Sequence, residues 1–445
     1  MSSGVPSAPL RDRFDEQKDS GADRDCFDEQ KKYPLLNTHY SLPDTRYPIP
    51  DTKTHYPTME TRIKQIIKPF TDFVRTNVTS GYLLLFCVVA ALSIVNSRFS
   101  EDYHHFFTTN IGVTISSFNF THDIHFWIND GLMAIFFLLV GLEIKRELLE
   151  GELSDVKKSS LPILAALGGM IVPALIYIIF NYNSTTTNGW AIPMATDIAF
   201  AVAILSLLGK RIPLSLKIFL TALAIVDDLG AIIVIAIFYT QTLSFAYLFY
   251  ASIVLIILYL FNISRVKSLS FYIPFGILLW YFIYKSGIHA TIAGVLFAFM
   301  IPSNKGARIS PLEHLEHLLT KPVAFFIMPL FALSNTDIIF SNQLFQSLSQ
   351  PIGLGIIFGL VFGKVIGIVS FAYLSIKLKL SNLPTETTWR QLIGAGFLGG
   401  IGFTMSIFIA LLSFPELELQ AVSKLAILLA SFASGVIGYG LLRRA

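Results

Sequence analysis

The sequence contains little cysteine and little charge for its length. Its 445 residues include only two cysteines, Cys26 and Cys87, which excludes a disulfide framework and a cysteine-rich metal site. Only 14% of the residues are charged, whereas 53% are hydrophobic and the mean hydropathy is positive. These values exclude a soluble globular protein and predict a polytopic membrane protein. The formal net charge of +3 gives no indication of nucleic-acid binding, and no such partner is expected.

The first 58 residues differ in composition from the rest of the chain. They are polar and contain imperfect repeats, of which residues 13–18 and 26–31 are one pair. Such a segment buries too little apolar surface to fold alone, which predicts a disordered tail; a partner-binding arm is the alternative. Residues 59–79 place apolar side chains at helical spacing among basic ones, which predicts an amphipathic helix on an anionic membrane face or an ordinary cytoplasmic helix. The first long apolar run begins near Gly81, so no signal peptide is expected.

Residues 80–445 are predicted to form one all-α membrane domain with about twelve transmembrane helices. The loop 97–125 contains an alternating stretch at 111–120, which predicts a β-hairpin rather than a span. The approximate spans are 80–96, 126–144, 161–181, 190–208, 214–239, 244–262, 270–284, 287–301, 322–338, 352–375, 391–413 and 420–442.

The distribution of lysine and arginine among the short loops predicts the orientation. With both termini in the cytoplasm, the outside loops hold only Arg98 and Lys285. The strong asymmetry favours an even number of spans. The basic residues assigned to the inside are Lys145, Arg146, Lys157, Lys158, Lys210, Arg211, Lys217, Arg265, Lys267, Lys305, Arg308, Lys321, Lys377, Lys379, Arg390, Arg443 and Arg444.

Two adjacent aspartates, Asp227 and Asp228, interrupt the middle of a long apolar run at about 214–239. Each ionisable group near the midplane of a bilayer costs about 2.5–3.5 kcal/mol on insertion scales. Adjacent carboxylates also disfavour double ionisation, so at least one of them is expected to accept a proton readily. The sequence therefore predicts that this pair is functional.

Two further stretches predict broken helices. In the stretch 191–199, Pro193 donates no backbone hydrogen bond, which predicts a break just before Asp197, next to Thr196. Direct ion binding by Asp197 and compensation of the helix ends are equally favoured. In the stretch 394–406, five glycines within nine residues predict a second break or a tightly packed helix. Interrupted segments at corresponding positions of two three-span units predict inverted repeats around a transport site.

Lys364 lies within an apolar run on both sides. Because snorkelling to an interface is difficult from there, the side chain is expected to pair with a buried carboxylate, most simply in the aspartate pair. Weaker candidates for a cation funnel, a structural role or a pH response are Glu143, Lys145, Arg146 and Glu147 at the end of the second span, Asp130 at its start, His289 near the outer end of a short span, and Glu316 and His317 in an inside loop.

Five motifs together resemble the NhaA-type Na+/H+ antiporters. They are 141–147 (GLEIKRE), 191–200 (AIPMATDIAF), 223–230 (LAIVDDLG), 285–291 (KSGIHAT) and 399–408 (GGIGFTMSIF). The resemblance extends from residue 80 to the end of the chain, and the motifs are specific in combination. It implies the NhaA fold, with inverted repeats and two discontinuous helices. It also implies an electrogenic, pH-regulated exchanger of the cell inner membrane that moves protons inward and Na+ or Li+ outward.

The resemblance also implies roles for individual residues. Asp227 and Asp228 match the pair that carries ion and proton, Thr196 and Asp197 match the broken helix, and Lys364 matches the lysine paired with the site. The expected Na+ or Li+ ligands are Asp228, Asp227 and Thr196, and no cofactor is expected. The hairpin in the loop 97–125 matches an element that joins two protomers, which implies a homodimer. The matches to the pH-response groups are Glu143, Arg146, Glu147, His289 and Glu316.

Two features depart from the family pattern: the long N-terminal tail, and Thr320, which stands where some relatives carry a histidine. Two functions of other kinds remain as alternatives. An intramembrane aspartyl protease also uses two buried aspartates but needs them to face each other, whereas adjacent residues diverge by about 100° on one helix. Within transport, a cation channel or a Na+-coupled solute symporter is the other alternative.

Overall fold

The computed structural model describes residues 79–115, 118–240, 243–303 and 310–445. The predicted tail at 1–58 lies outside these ranges, as does all of the predicted amphipathic segment at 59–79 except its last residue. Within them the protein is mostly helical, because a chain in a bilayer must satisfy its backbone hydrogen bonds internally. The helices are α1 (Thr79–Val95), α2 (Ser100–Thr108), α3 (Ile124–Leu149), α4 (Val156–Phe180), α5 (Ile198–Leu207), α6 (Leu214–Phe238), α7 (Phe245–Ile263), α8 (Leu269–Ser286), α9 (Ile292–Met300), α10 (Pro311–Asn335), α11 (Asn342–Ser347), α12 (Pro351–Lys377), α13 (Trp389–Gly399), α14 (Phe403–Ser413) and α15 (Leu417–Arg444).

Shorter helical segments modify this pattern. Single 3₁₀ segments cover Glu152–Ser154, Thr185–Met194 and Gly209–Arg211. Three long helices also contain a π-helical turn, at Trp127–Leu132 in α3, Val323–Ile327 in α10 and Gly359–Gly363 in α12. Turns of this kind are frequent at functional sites in helices.

In the described part of the chain, seven helices are long and apolar enough to cross a membrane, and the number rises to ten if each of three bent pairs counts as one span. The prediction of about twelve spans is therefore met in part. The expected spans at 270–284 and 287–301 correspond to α8 and α9. Helix α9 has only nine residues, a length of about 14 Å, which is less than half the thickness of a hydrocarbon core.

Between α1 and α3 lies the predicted hairpin, formed by β1 (Asn110–Ile115) and β2 (Phe118–Asp123). The strands are antiparallel, with Asn110 opposite Asp123. The indole of Trp127 donates to the Ile111 carbonyl at 2.8 Å, which fixes the hairpin to the start of α3. The hairpin prediction is confirmed. Helix α2, which bends by 115° from α1 in the same loop, was not predicted.

The structure corrects the predicted start of α10. Sequence analysis placed a span at 322–338 and left Glu316 in a loop, but the helix begins at Pro311. Ser310 and Glu313 form a capping box at its N-terminus. A serine three residues before a glutamate is a sequence signature of a helix N-terminus, and sequence analysis did not use it here. As a result, Glu316 lies on the helix and is nearly buried.

Buried apolar side chains form two clusters. The larger one involves α1, α3 to α6, α10 and α12 to α15, and the smaller one joins α7, α8 and α9 to one side of α3 and the start of α10. Helix α3 connects the two clusters. Its Lys145 donates to the carbonyls of Phe299 and Ile301, at 2.7 and 2.5 Å, and so caps the C-terminal end of α9.

Helices α4 and α12 approach each other closely at a pair of glycines. A Cβ atom on Gly367 would lie 2.0 Å from the Gly168 carbonyl oxygen, and one on Gly168 would lie 2.3 Å from the Gly367 oxygen. Backbone meets backbone here, so no flexible side chain can move aside. Only glycine permits this contact, which sets the position of the helix that carries Lys364.

We expect Gly367→Ala to destabilise the protein, by about 1–3 kcal/mol, because the added methyl group overpacks this contact. The measurement is the apparent unfolding temperature of the purified protein in detergent. Gly440→Ala in α15 is the matched control, since a Cβ atom there would meet nothing within 4 Å. If Gly367→Ala unfolds at the same temperature as the control or above it, the close approach of α4 and α12 is wrong.

Candidate functional site

Helix α6 carries both central carboxylates. Asp227 and Asp228 are almost completely buried, with 1% and 2% of their surfaces exposed. Because consecutive residues of a helix diverge by about 100°, the two side chains meet different neighbours. Asp227 faces α12 and the break before α5, whereas Asp228 lines a cavity.

Asp227 is held by two side chains from other elements. The Lys364 ammonium lies 2.6 Å from Asp227 Oδ2 and also donates to the Met194 carbonyl. The Thr196 hydroxyl lies 2.8 Å from the same carboxyl oxygen. Lys364 has no exposed surface, so it does not snorkel to an interface. A charge buried this deeply requires an ionic partner, and Asp227 supplies it.

The two predicted breaks are present and cross each other. The 3₁₀ segment Thr185–Met194 meets α5 at an angle of 40°, and α13 meets α14 at 43°. The backbone N–H of Asp197 donates to the Ile401 carbonyl at 2.6 Å, and the Ser406 hydroxyl donates to the Ile192 carbonyl at 2.7 Å. Each break therefore supplies hydrogen-bond partners for the other, as irregular backbone at membrane depth requires.

Asp197 lies between the N-termini of two half-helices. Its Oδ1 accepts from the Phe200 N–H of α5 at 3.2 Å, and its Oδ2 accepts from the Thr404 N–H of α14 at 3.1 Å. The Thr404 hydroxyl also donates to Oδ2. A carboxylate is stabilised at these positive helix ends. The position of Asp197 is therefore suited to compensating the helix ends, which is one of the two roles expected from the sequence. Sequence analysis did not single out Thr404, although a threonine directly after a glycine-rich break was the available signal.

A cavity of about 80 Å³ lies beside the crossing. Its volume is sufficient for several water molecules. Thr196, Asp227 and Lys364 do not line it. Most of the wall is apolar, from α1, α3, α10 and α14, and the polar residues that line it are Ser80, Glu143, Asp197, Asp228, Thr320 and Thr404.

Two carboxyl oxygens of the pair are unsatisfied. Oδ1 of Asp227 and Oδ1 of Asp228 are both buried and have no hydrogen-bond partner in the described part of the chain. A buried acceptor without a partner is costly and needs an explanation, such as a proton or an ion. Within the described ranges there is no group of three or more His, Cys, Asp or Glu residues suited to a metal, so hydroxyl or backbone oxygens would complete any cation site.

The four residues matched to a cytoplasmic pH-response cluster lie near one another at the end of α3 and on α10. Arg146 pairs with Glu147 and with Glu316 of α10, both at 3.2 Å, and Glu143 lies one turn earlier on the cavity wall. His289, which was matched separately, lies near the start of α3, 3.8 Å from Asp130. Asp130 precedes Glu143 by thirteen residues, or about 20 Å of helix, so His289 is far from the other four residues.

Thr320 and Glu316 belong to the same turn of α10. The Thr320 hydroxyl donates to the Glu316 carbonyl at 2.7 Å, and Thr320 also lines the cavity. The residue that departs from the family pattern therefore lies in the same cavity wall as Glu143.

Comparison with known proteins gives consistent matches. Residues 71–442 match the family described as Na+/H+ antiporter 1. The chain is 54% identical over 377 residues to a Flavobacterium johnsoniae protein named Na(+)/H(+) antiporter NhaA 2, covering 84% of this chain and 92% of the relative. It is 50% identical over 385 residues to Na(+)/H(+) antiporter NhaA 1 of Clostridium beijerinckii, covering 85% and 96%. Na(+)/H(+) antiporter NhaA of Escherichia coli is 47% identical over 381 residues, covering 85% and 98%.

Proposed function

The chain belongs to the Na+/H+ antiporter 1 family and is a multi-pass membrane protein, and from this premise we propose that it extrudes Na+ in exchange for protons by competition at the buried aspartate pair. The observation that carries the proposal is the pair of buried, unsatisfied oxygens, Oδ1 of Asp227 and Oδ1 of Asp228, beside two crossing broken helices. Discontinuous helices at the midplane are a recurrent arrangement for ion sites in secondary transporters; NhaA is itself one of the standard examples.

Asp228 is the proposed holder of the ion. It lines the cavity, whereas Asp227 is occupied by Lys364 and Thr196. Na+ and Li+ are hard cations that prefer oxygen ligands, and carboxylates, a hydroxyl and freed carbonyls are all close to this position. Protonation of the carboxylates removes the negative charge and so expels the cation. Asp227 is the proposed partner that releases a proton together with Lys364.

The charge distribution supports a proposal for the side of the membrane that the cavity faces. Glu143 lines the cavity and lies at the C-terminal end of α3, close to Lys145 and Arg146. Ends of membrane-spanning helices that carry lysine and arginine usually face the cytoplasm. We therefore place Asp228 in contact with the cytoplasm in this conformation, with both termini on that side of the inner membrane. Inverted repeats that rock about the crossing would then expose the site on the other side.

Regulation and assembly are part of the same proposal. Arg146, Glu147 and Glu316 form an ion-pair network beside the cavity, and Glu143 lies within it, so protonation there is expected to alter access to Asp228. His289 would act separately, near Asp130.

The hairpin β1–β2 presents exposed apolar side chains, Ile111 and Val113, and is the proposed contact between two protomers.

The protease alternative finds less support than exchange. Asp227 is paired with Lys364 rather than with a second carboxyl group, and a catalytic dyad requires two carboxyl groups that share a proton. The relatives named above are antiporters by name. A symporter or a channel is tested by the same measurement as exchange.

The test uses everted membrane vesicles with an imposed pH gradient. We expect added Na+ or Li+ to dissipate the gradient and K+ to leave it intact, because the ligand set favours small hard cations. If exchange is electrogenic, clamping the membrane potential at zero changes the rate. Passage of both Na+ and K+ without any change in the pH gradient would favour a channel, and solute-dependent Na+ uptake without proton movement would favour a symporter.

A further inference from the structure

A second cavity lies where α5 and α15 end. Its volume is about 270 Å³, and it opens to the surface. The lining residues are Leu207, Leu208, Arg211, Tyr439 and Arg443. None of them lines the cavity beside the crossing, so this cavity is a separate feature of the molecule.

The charge of this second cavity is positive. Arg211 and Arg443 both line it, and none of the lining residues is acidic. Neither guanidinium has an ion-pair partner in the part of the chain that the structure describes. Two like charges beside one cavity repel each other, and an anion bound between them is attracted by both. Arginine binds the oxygens of phosphate and carboxylate groups through parallel hydrogen bonds, so the cavity suits an anion of this kind.

The backbone that carries Arg211 is held in place. Arg211 ends the 3₁₀ turn Gly209–Arg211, and the residues on either side of this turn, Leu208 and Ile212, are buried. Gly209 has a φ of 60°, a left-handed conformation that glycine adopts without strain. The Lys217 ammonium donates to the Gly209 carbonyl at 3.1 Å, which ties the turn to α6 and adds a third positive charge nearby.

The last turns of α15 are held in the same way. Leu442, next to Arg443, is buried, and a Cβ atom on Gly394 of α13 would lie 2.6 Å from its Cγ atom. Further back along α15, a Cβ atom on Gly435 would lie 3.2 Å from Cδ1 of Ile204 on α5. The helices α5 and α15 therefore pack closely one turn before the cavity. Both arginines are exposed side chains on a fixed backbone.

An apolar stripe on α15 leads to the cavity. Phe432, Val436, Tyr439 and Arg443 follow one another at intervals of four, three and four residues, which places them on one face of the helix. Phe432 and Val436 are 74% and 56% exposed, and α15 is long and apolar enough to cross a membrane. The stripe is about 16 Å long, close to half of a hydrocarbon core of about 30 Å, which is the depth of one lipid leaflet.

The order of side chains along the stripe matches the order of groups in a phospholipid. The apolar residues lie where an acyl chain would lie, Tyr439 lies where tyrosine is enriched at membrane interfaces, and Arg443 lies beyond it. A free phosphate ion would use the two arginines but not the stripe. Snorkelling of one arginine at a helix end would account for Arg443 but not for Arg211, which lies on a short turn beside the same cavity.

We propose that Arg211 and Arg443 bind the phosphate group of an anionic phospholipid, with an acyl chain of this lipid lying along the exposed face of α15. Both arginines are assigned to the inside, so the lipid belongs to the cytoplasmic leaflet in the proposed orientation. Basic pockets between helices on this side of a membrane are suited to anionic headgroups. The site requires only that α15 spans the membrane, and it stands whether or not the protein exchanges Na+ for protons.

The experiment measures lipid binding to the purified full chain in a neutral detergent by native mass spectrometry. The probes are phosphatidylglycerol, phosphatidylcholine and glycerol phosphate, which has the headgroup chemistry without an acyl chain. The variants are Arg211→Gln and Arg443→Gln, singly and together. Arg444→Gln is the matched control, because Arg444 is an exposed arginine of the same helix end that does not line the cavity. Gel filtration checks that each variant is folded.

We expect the wild type to bind phosphatidylglycerol about tenfold more tightly than phosphatidylcholine, whose choline group cancels the phosphate charge. Arg211→Gln and Arg443→Gln should each weaken the binding of phosphatidylglycerol about five- to tenfold, and the double variant should bind both lipids alike. Arg444→Gln should bind phosphatidylglycerol as the wild type does. Glycerol phosphate should bind much more weakly than phosphatidylglycerol, because it cannot use the apolar stripe.

Three results would overturn the site. If Arg211→Gln and Arg443→Gln retain wild-type affinity for phosphatidylglycerol, the cavity does not hold the headgroup. If Arg444→Gln weakens binding as much as they do, the attraction comes from surface charge in general. If glycerol phosphate binds as tightly as phosphatidylglycerol, the cavity is a site for free anions and the lipid assignment is wrong.

Discussion

Replacing Asp228 with asparagine is expected to abolish Na+-dependent proton movement in everted vesicles. Asparagine has nearly the same shape but carries no negative charge and takes up no proton, so it loses both halves of the proposed competition. The side chain lines the cavity and has an unsatisfied buried oxygen, Oδ1. A single neutral amide cannot offset the desolvation of a cation, so we expect a loss of at least about a hundredfold in rate.

The control is a carboxylate away from the cavity. Asp337 follows α10 and pairs with Lys424 of α15 at 2.5 Å. Asp337 is half-buried, with 20% of its side chain exposed, so Asp337→Asn removes a negative charge away from the cavity, and we expect exchange per folded molecule to persist. If Asp228→Asn exchanged Na+ for protons at the wild-type rate, the assignment of the ion to Asp228 would be wrong. Equal loss in both variants would mean that transport responds to charge in general rather than to this site.

The sequence predicts the breaks well because their causes are local. Pro193 cannot donate a backbone hydrogen bond, and the glycines of 394–402 weaken a helix wherever they stand. Both segments are bent in the structure, by 40° and 43°. The hairpin β1–β2 is predictable for the same reason, since alternation along the chain determines it.

Features that depend on tertiary contacts are less accessible from sequence. Adjacent aspartates on a helix must diverge, but only the packed structure determines that Asp227 meets Lys364 while Asp228 lines the cavity. The double contact of Thr404 with Asp197 depends on how two breaks cross.

The early start of α10 was not predicted, for a different reason. Its first turns are amphipathic rather than apolar, so a search for hydrophobic spans places the start of this span at about residue 322. The capping box at Ser310 and Glu313 marks the true N-terminus by local chemistry. Because the helix extends to Pro311, Glu316 is held in a fixed position opposite Arg146 of α3.

Removing Lys364 is expected to cause the largest loss of stability. Lys364→Ala leaves Asp227 buried without its ionic partner, and breaking a buried pair on one side costs about 3–5 kcal/mol. Asp227→Asn leaves the Lys364 ammonium buried with the Met194 carbonyl and the amide oxygen as neutral acceptors. We expect both single variants to unfold in detergent at clearly lower temperatures than the wild type.

The double variant Asp227→Asn with Lys364→Met tests whether the pair is structural, functional or both. Methionine fills a similar length without charge, so the double variant should recover much of the stability lost by Lys364→Ala, since neither buried charge remains. If Asp227 and Lys364 serve only to support the fold, recovered stability should bring recovered exchange. We expect exchange to stay impaired and its pH dependence to change, because the proposed proton carrier is gone. A stable double variant with wild-type exchange and an unchanged pH profile would assign the whole competition between Na+ and protons to Asp228.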